Sequence, residues 1–242
     1  LHHRGPDEDG YFIEGNVGLG HKRLSIIDLA GGTQPITNED DSCVIIYNGE
    51  IYNFLDLRED LVKKGHSLKT NSDTEVILHL YEDMGENCVD KLRGMFAFAI
   101  WDKNKKRLFL ARDRVGKKPI YYAETENSFI FASELKALLP DPDISRDIDY
   151  EALHYYLTFQ YVPAPLTIFK KVKKLESAHR MVYQGGSVKT EAYWDLNYTP
   201  KLDITENEAL ERTDAMIDEA VKIRLISEVP LGCFLSGGVD SS

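Results

Sequence analysis

The chain has 242 residues, enough to bury the core of one large domain or of one domain and part of another. Its 29 Lys and Arg stand against 40 Asp and Glu, a net charge of −11, which argues against a nucleic-acid-binding surface and favours small-molecule chemistry. The longest apolar run, residues 95–101, is too short to cross a bilayer, so no membrane partner is expected.

The N-terminal segment mixes turn-forming and charged residues. Residues 2–10 contain Gly-Pro and Asp-Gly pairs and predict a solvated loop. Residues 16–21 predict a strand interrupted by glycines, where another backbone can approach closely. Arg23 follows beside an apolar run. If it is buried it needs an anionic partner, either a protein carboxylate in a salt bridge, which is the commoner outcome, or the carboxylate of a ligand.

An Asn-Gly pair follows a β-branched apolar run. Residues 44–47 predict a buried strand, and Asn48-Gly49 predicts a turn directly after it. A simple hairpin is one interpretation, but the apolar residues at 54, 57, 61 and 62 have helical spacing, which favours a strand-to-helix junction. Such a junction presents the Asn48 side-chain amide and the Gly49 backbone N–H to one point, as an oxyanion formed in acyl transfer requires.

The middle of the chain predicts a second helix and then mostly strands. Ser72 or Asp73 is predicted to cap the helix, with Glu75 in its first turn. Residues 92–101 predict a strand buried on both faces, because large and small apolar residues alternate. Other predicted elements are strands at 107–112, 121–122 and 129–132 and a short helix at 133–138 capped by Ser133. This order lacks the regular strand–helix alternation of a doubly wound sheet and predicts a layered α+β fold.

The last third predicts a helix at 150–159, a hairpin at Gly185-Gly186 and then a new unit. We expect a boundary at 197–201, because a capping box at 205–208 starts a long helix that runs to about Leu225. Residues 229–235 predict a strand. The loop that follows, 236–242, is rich in Gly and Ser, whose backbone N–H groups and hydroxyls suit a phosphate or pyrophosphate. A plain Gly-Gly turn is the alternative.

This loop resembles the pyrophosphate-binding loop of the ATP pyrophosphatases. The rest of the chain resembles the glutaminase half of the glutamine-hydrolysing asparagine synthetases, which are class II amidotransferases of the N-terminal-nucleophile (Ntn) type. The segments that carry this resemblance are HRGPD at 3–7, RLSIID at 23–28, NGEIYN at 48–53, SDTEVI at 72–77 and GMFAFA at 94–99. The resemblance implies an Ntn-hydrolase four-layer α/β/β/α sandwich at 1–196. The first helix, strand and phosphate loop of an α/β ATP-pyrophosphatase domain would follow at 202–242.

The resemblance also implies roles for individual residues. Arg23 would hold the glutamine α-carboxylate and Asp73 the α-ammonium group, while Asn48 and Gly49 would form the oxyanion hole and Glu50 would help to seat the substrate. The residues expected to contact ATP or its pyrophosphate are Leu235, Ser236, Gly237, Gly238, Asp240 and Ser241. The implied reaction is that of a carbon–nitrogen ligase, in which ammonia from glutamine passes to β-aspartyl-AMP and yields asparagine. Glutamine, aspartate and ATP with Mg²⁺ would be bound, a homodimer is compatible with this, and no metal held by protein side chains alone is expected.

One feature of that family is missing. Its nucleophile is a cysteine at the mature N-terminus, whose α-amino group serves as base. Cys43, Cys88 and Cys233 lie elsewhere in the sequence, are odd in number and lack metal-ligand spacing, so each is expected to be a small apolar residue in a reducing, cytoplasmic setting. Residue 1 is Leu and the phosphate loop ends the chain, so we expect a piece of a longer protein that is inactive by itself.

Two other functions remain open. The parent could be a β-lactam-synthetase-like or other amidating synthetase with a different acceptor, whose first domain does not hydrolyse glutamine. The joint presence of Arg23, Asn48, Gly49 and Asp73 argues against that. It could also be a non-catalytic module that binds glutamine.

Overall fold

The computed structural model describes residues 1–239, which form an α+β protein. Its strands are β1 (Glu8–Glu14), β2 (Val17–Arg23), β3 (Ile36–Thr37), β4 (Cys43–Ile51), β5 (Gly94–Asp102), β6 (Arg107–Arg112), β7 (Tyr121–Glu124), β8 (Phe129–Ala132), β9 (Lys173–Lys174), β10 (His179–Gln184) and β11 (Ser187–Ala192). Its α-helices are α1 (Phe54–Lys63), α2 (Asp73–Met84), α3 (Tyr150–Phe159) and α4 (Glu206–Lys222). The predicted strands at 107–112 and 129–132 and the helix at 150–159 are therefore confirmed. The strand predicted at 92–101 is present as β5, which begins at Gly94.

A six-stranded antiparallel sheet in the order β11-β10-β6-β5-β4-β3 forms the centre of the molecule. Its longest pairing joins β4 to β5, from Cys43 opposite Asp102 to Ile51 opposite Gly94. The hairpin β10–β11 turns at Gly185-Gly186, where both glycines have positive φ, as the sequence predicted. Two smaller sheets, β1-β2 and β8-β7-β9, complete the strands of the described chain.

Alternation along the strands divides the core into layers. The odd residues of β4, including Ile45 and Tyr47, pack with α1 and α2, while Val44 packs toward the smaller sheets. Tyr122 on β7 belongs to that second cluster, but its neighbour Ala123 faces a third one under residues 135–144. The layers are therefore two helices, a large sheet, the smaller strands and a thin outer cover of loops and a 3-10 helix. This matches the predicted α/β/β/α order.

The structure corrects three predictions in the first half of the chain. Asn48-Gly49 does not form a turn, because β4 stays paired with β5 up to Ile51 and the turn lies at residues 52–53. Glu8–Gly10 is not a loop, since β1 pairs with β2 from Glu8 onward. The helix at 133–138 is a 3-10 helix over Leu135–Ala137, and no side chain caps it.

The C-terminal part contains one confirmed and one wrong prediction. The capping box is present, with the Thr205 side chain accepting from Glu208 N–H and the Glu208 side chain from Thr205 N–H. Residues 229–235 do not form a strand, because they pair with no strand of the described chain and an unpaired strand leaves its backbone groups without partners. The apolar side chains of α4, such as Leu210 and Ile217, are exposed. No helix within 1–239 is long and apolar enough to cross a membrane.

A substitution at Phe109 tests the layer order. This residue of β6 is fully buried and packs against α2. Its ring stacks on Tyr81 at a centroid distance of 5.4 Å and meets the edge of Phe98 at 5.7 Å. Phe109→Ala should lower the free energy of unfolding by about 3–5 kcal/mol through lost burial and a cavity. Urea denaturation of the full chain measures this. The matched control Phe159→Ala, at a residue that is 54% exposed, should cost less than about 1 kcal/mol, and equal losses would contradict the layer order.

Candidate functional site

A cavity of about 680 Å³ lies against one end of the central sheet. Its walls come from β2, β4, β5, the first turn of α2 and the loops at 117–120 and 131–134. The residues that the sequence singled out for the glutamine site all line it; they are Arg23, Asn48, Gly49, Glu50 and Asp73. The sheet brings together residues up to 50 positions apart because β2, β4 and α2 begin or end at the same edge.

The exposed edge of β4 supplies one wall of the cavity. Alternate residues of a strand point their N–H groups the same way, and on this side the short strand β3 leaves β4 uncovered beyond Ile45. The Tyr47 N–H donates to the Gln34 side chain at 2.6 Å, and the Ile51 N–H donates to Asp73 at 2.9 Å. Gly49 lies between these two positions with the same direction, so its N–H is directed at the cavity.

Gly49 is required for packing rather than for a turn. A Cβ at this position would collide with the Met95 carbonyl oxygen and lie 2.8 Å from the Phe96 Cα atom. The absent side chain lets β4 lie close against β5. The sequence singled out Gly49 because it predicted a turn there, whereas in the structure Gly49 lies within β4.

Asp73 is a buried carboxylate with one oxygen fixed. Its Oδ2 accepts from the Tyr47 hydroxyl at 2.8 Å and from the Ile51 N–H at 2.9 Å, while Oδ1 is 3.5 Å from the Ser72 hydroxyl. Burial raises the pKa of Asp73, and those hydrogen bonds oppose the rise. Ser72 is the helix cap, with its hydroxyl accepting from the Thr74 N–H. Asp73 is thus not needed as a cap.

Arg23 is buried, and the sequence left open whether its anionic partner is a protein carboxylate or a ligand carboxylate. It is 5% exposed, and its guanidinium donates to Glu8 Oε2 at 2.9 Å and to the carbonyl oxygens of Ile27 and Asp28 at 3.0 and 2.6 Å. The hydrogen bond from Arg23 to Glu8, with one from the Thr33 hydroxyl, lowers the pKa of Glu8. Arg23 therefore has a protein carboxylate as partner and also forms part of the cavity wall.

Glu50 is half-buried at the same edge of β4. Burial raises the pKa of its carboxyl, and the negative charge of Asp73 adds to the rise, while Lys118 and Arg224 oppose it. Glu50 and Asp73 therefore line one cavity, and their negative charges repel each other.

Asp113 supports the opposite wall, and the sequence did not single it out. It is fully buried, and its two oxygens accept from the backbone N–H groups of Phe96, Val115, Lys117 and Lys118 at 2.9–3.2 Å. Arg112 donates to three carbonyl oxygens around the same loop. An Asp followed by a Gly three residues later is a turn signal that could have drawn attention to it.

No cysteine within residues 1–239 lines the cavity. Cys43 and Cys88 are buried, and burial raises the pKa of both thiols, that of Cys43 to about 11. Cys233 is exposed, contrary to the expectation that each cysteine is a core residue. Leu1 lies on the cavity wall.

The phosphate-loop residues lie apart from this cavity. Leu235, Ser236, Gly237 and Gly238 are exposed and do not line it, and Asp240 and Ser241 lie outside the described residues. Gly237 has φ +76°, and nothing stands within 4 Å of the place where a Cβ would be. The backbone of the loop is thus open to solvent at this point.

The segment after α4 returns to the cavity rim, which the sequence did not indicate. The Glu228 carboxylate accepts from the Asp28 N–H at 2.9 Å, and the Glu228 N–H donates to the Ile26 carbonyl at 3.1 Å. The Arg224 guanidinium stacks over the Tyr52 ring at 4.8 Å. Both contacts join residues about 170–200 positions apart, so the C-terminal part adjoins the wall that contains Arg23.

Comparisons with known proteins agree with this geometry. The profile of the family described as "Glutamine amidotransferase domain" matches residues 1–194, and that of "Asparagine synthase" matches 212–242. The chain is 46% identical to glutamine-hydrolyzing asparagine synthetase 1 of Bacillus subtilis, covering 99% of this chain and 38% of that protein. It is 41% identical to a putative asparagine synthetase of Methanocaldococcus jannaschii, covering 100% and 51%.

The chain therefore spans about two fifths to one half of the length of these curated relatives. Among solved structures, a glutamine phosphoribosylpyrophosphate amidotransferase from B. subtilis superimposes with a TM-score of 0.53 at 20% identity. The superposition covers 75% of this chain and 36% of the amidotransferase chain. This likeness shows a shared fold.

The pH dependence of the unfolding free energy should reveal the burial of His21, a residue of β2 that lines the cavity. Burial, with a smaller effect of Arg23, lowers its pKa to about 4. A histidine with a lowered pKa in the folded state contributes stability above its unfolded value near 6.5. That contribution is lost as the pH falls toward 4, and amounts to at most about 3 kcal/mol. His21→Gln should therefore flatten the loss of unfolding free energy between pH 7 and 4, measured by urea denaturation. The exposed control His154→Gln should keep the parental slope, and a parental slope in His21→Gln would contradict the assignment.

Proposed function

Because the chain belongs to the glutamine amidotransferase domain family, whose profile matches residues 1–194, we propose that the cavity binds glutamine and supports hydrolysis of its side-chain amide. The observation that carries this proposal is the edge of β4. There Gly49 directs an N–H at the cavity between two backbone N–H groups that side chains already occupy. A backbone N–H directed at the cavity is the kind of donor that a developing oxyanion needs.

Recognition of a free amino acid requires one cation and one anion at fixed separation. In the proposal Asp73 Oδ1 accepts from the α-ammonium group, since Oδ2 is already held by Tyr47 and Ile51. Arg23, on β2, would donate to the α-carboxylate, and Glu50, on β4, would help to seat the substrate. Because both binding groups are held by backbone contacts, the substrate would meet a preorganised site.

The chemistry proposed is attack by a thiolate on the amide carbon of glutamine. The C=O electrons move to oxygen, where the Gly49 N–H and the Asn48 side-chain amide would stabilise the charge. The terminal α-amino group that took the thiol proton returns it to the amide nitrogen, so the C–N bond breaks and ammonia leaves as the intermediate collapses to a thioester. Water then hydrolyses the thioester to glutamate and the free thiol. The described cysteines do not line the cavity, so the thiol is proposed to come from residues that precede Leu1 in the longer protein. Leu1 on the cavity wall supports an approach from that side.

For the longer protein we propose ATP-dependent synthesis of asparagine from aspartate, with this ammonia as the nitrogen source. The similarity to proteins named asparagine synthetases over the whole chain supports this assignment. We place the glutaminase domain at 1–196 and the start of the synthetase domain at 202–242. Three cysteines without a disulfide in the described chain support a cytoplasmic setting.

ATP with Mg²⁺ is proposed to bind at the loop that begins at Leu235 and continues past the last described residue. Among the described residues, the positive φ of Gly237 and the open space around it fit a loop whose backbone approaches phosphate oxygens. Leu235, Ser236, Gly237 and Gly238 would hold the nucleotide, with Asp240 and Ser241 completing the set. The bound nucleotide would supply the adenylating group for the acceptor carboxylate.

Arg23→Ala in the longer protein tests the substrate-binding assignment. Loss of one partner of a charge-assisted contact costs on the order of 2–5 kcal/mol, so glutamine-dependent synthesis should fall roughly 30-fold to several thousand-fold. Synthesis from free ammonia should stay near the parental rate, because adenylation occurs elsewhere. Steady-state kinetics with both nitrogen donors measure the two arms.

The controls for this experiment separate binding from structure. Arg212→Ala removes an exposed arginine of α4 and should leave both rates unchanged. Glu8→Gln removes the protein partner but keeps the Arg23 charge, so it should retain glutamine use if Arg23 serves the substrate. Equal losses with glutamine and ammonia in Arg23→Ala would show that the salt bridge to Glu8 is its main role.

The 242-residue chain by itself should release no glutamate from glutamine. A thiolate beside the cavity is required for the proposed attack, and the described cysteines are either buried away from the cavity or distant from it. A coupled glutamate dehydrogenase assay against a heat-denatured sample measures this. Activity above that background would require a different nucleophile.

A further inference from the structure

Two histidines and two glutamates meet at a point outside the cavity. They are Glu39, His66, His79 and Glu82, and one donor atom from each lies within 4.8 Å of the other three. Glu39 lies in the loop before β4, His66 in the loop between α1 and α2, and the other two on α2. None of the four lines the glutamine cavity.

The Nδ1 atoms of both histidines face the two carboxylates. His79 Nδ1 is 2.6 Å from Glu82 Oε2 and 3.4 Å from Glu39 Oε2. His66 Nδ1 is 3.8 Å from Glu39 Oε1 and 3.9 Å from Glu82 Oε2. In a tetrahedral site with metal–ligand bonds of about 2.0–2.1 Å, neighbouring ligand atoms are about 3.3 Å apart. With one oxygen taken from each carboxylate, Glu82 Oε2 and Glu39 Oε2, three of the ligand pairs are 2.6, 3.4 and 3.9 Å apart, within about 0.7 Å of this value. Metal binding would lengthen the His79–Glu82 contact and shorten the His66–Glu82 contact.

The other ring nitrogen of each histidine faces a carboxylate. His66 Nε2 is 3.0 Å from Asp83 Oδ1, and the second oxygen of Asp83 is held by Lys64. His79 Nε2 is buried, has no hydrogen-bond partner and stands 3.6 Å from Glu75 Oε1. Metal-bound histidines in proteins almost always have such a carboxylate or carbonyl on the far nitrogen, which fixes the tautomer and turns the near nitrogen to the metal.

The two carboxylates are oriented as well. Glu82 Oε1 accepts from the Asn38 side chain at 2.6 Å, which leaves Oε2 toward the histidines. Glu39 Oε1 accepts from the Ser67 N–H at 3.0 Å. All four candidate ligands are thus positioned by neighbours from separate segments of the chain.

We propose that Glu39, His66, His79 and Glu82 bind one divalent transition-metal ion of the Zn²⁺ type. Two imidazole nitrogens and two carboxylate oxygens suit Zn²⁺, whereas Ca²⁺ and Mg²⁺ prefer sites made only of oxygen. Four protein ligands close the coordination shell, which is the arrangement of a structural site. The ion would join the loop before β4 and the α1–α2 loop to α2, the helix that begins at Asp73. This proposal differs from the expectation that no metal is held by protein side chains alone.

An ion-pair cluster without a metal is the competing interpretation. In that case a protonated His79 would donate a hydrogen bond directly to Glu82. His66 would lie near the same carboxylates without any metal ion between them. The two interpretations differ in whether the chain takes up Zn²⁺ stoichiometrically.

The test uses the full, untagged chain, stripped of metals with a chelator and then titrated with Zn²⁺. Equilibrium dialysis with elemental analysis should give one Zn²⁺ per chain. At a free Zn²⁺ concentration of about 100 times Kd, the melting temperature should rise by about 5–10 °C. Mg²⁺ at the same concentration should leave it unchanged. Absence of stoichiometric Zn²⁺ uptake would overturn the proposal and favour the ion-pair cluster.

Single variants locate the ion. His66→Gln and Glu39→Gln change partly exposed side chains in loops and should fold. Each should weaken Zn²⁺ binding at least 10-fold and reduce the thermal shift at the same Zn²⁺ concentration to about half or less. The matched control is His3→Gln, which removes a histidine paired with a carboxylate, Glu134, at 3.1 Å outside the cluster. Zn²⁺ uptake that survives in both cluster variants, or is lost in His3→Gln, would place the ion elsewhere and refute the assignment.

Discussion

The hydrogen bonds between Asp73 and the edge of β4 set the geometry of the whole site. One carboxylate oxygen receives the Tyr47 hydroxyl and the Ile51 N–H, so the start of α2 is fixed to the strand that presents Gly49. Burying this carboxylate is unfavourable, and its raised pKa reflects that cost. The same contact brings Asp73 and Gly49, from different elements, to the wall of one cavity.

Backbone N–H groups bound by buried carboxylates recur on both sides of the sheet. Asp113 holds the loop beyond β6 through four such groups, as Asp73 holds the end of β4 through one. At the cavity rim the exposed Glu228 carboxylate also accepts from backbone N–H groups, those of Asp28 and Leu29, so the C-terminal segment contacts the loop next to Arg23. The Asp73 and Glu228 contacts join segments that are distant in sequence, whereas the Asp113 contacts mainly hold one loop.

Much of the candidate site could be predicted from the sequence, because the family motifs name it directly. Arg23, Asn48, Gly49, Glu50 and Asp73 were identified in segments that resemble one family, and the structure brings all five to one cavity. Their individual roles rest on the proposal above. The contacts of Glu228 and the histidine–glutamate cluster could not be predicted, because they join segments that are distant in sequence and no local pattern marks them.

By itself the sequence determined the elements whose signals are local: the helix caps at Ser72 and Thr205, the glycine turn at 185–186 and the alternating core strand β5. The tertiary structure decided whatever depends on pairing. The strand β4 continues through Asn48-Gly49 because β5 lies beside it up to Ile51, and Glu8–Gly10 is a strand because β2 pairs with it. Residues 229–235 are not a strand because the described chain offers them no partner. A β-strand is stabilised by hydrogen bonds to a neighbour remote in sequence, so its extent is a property of the assembled sheet.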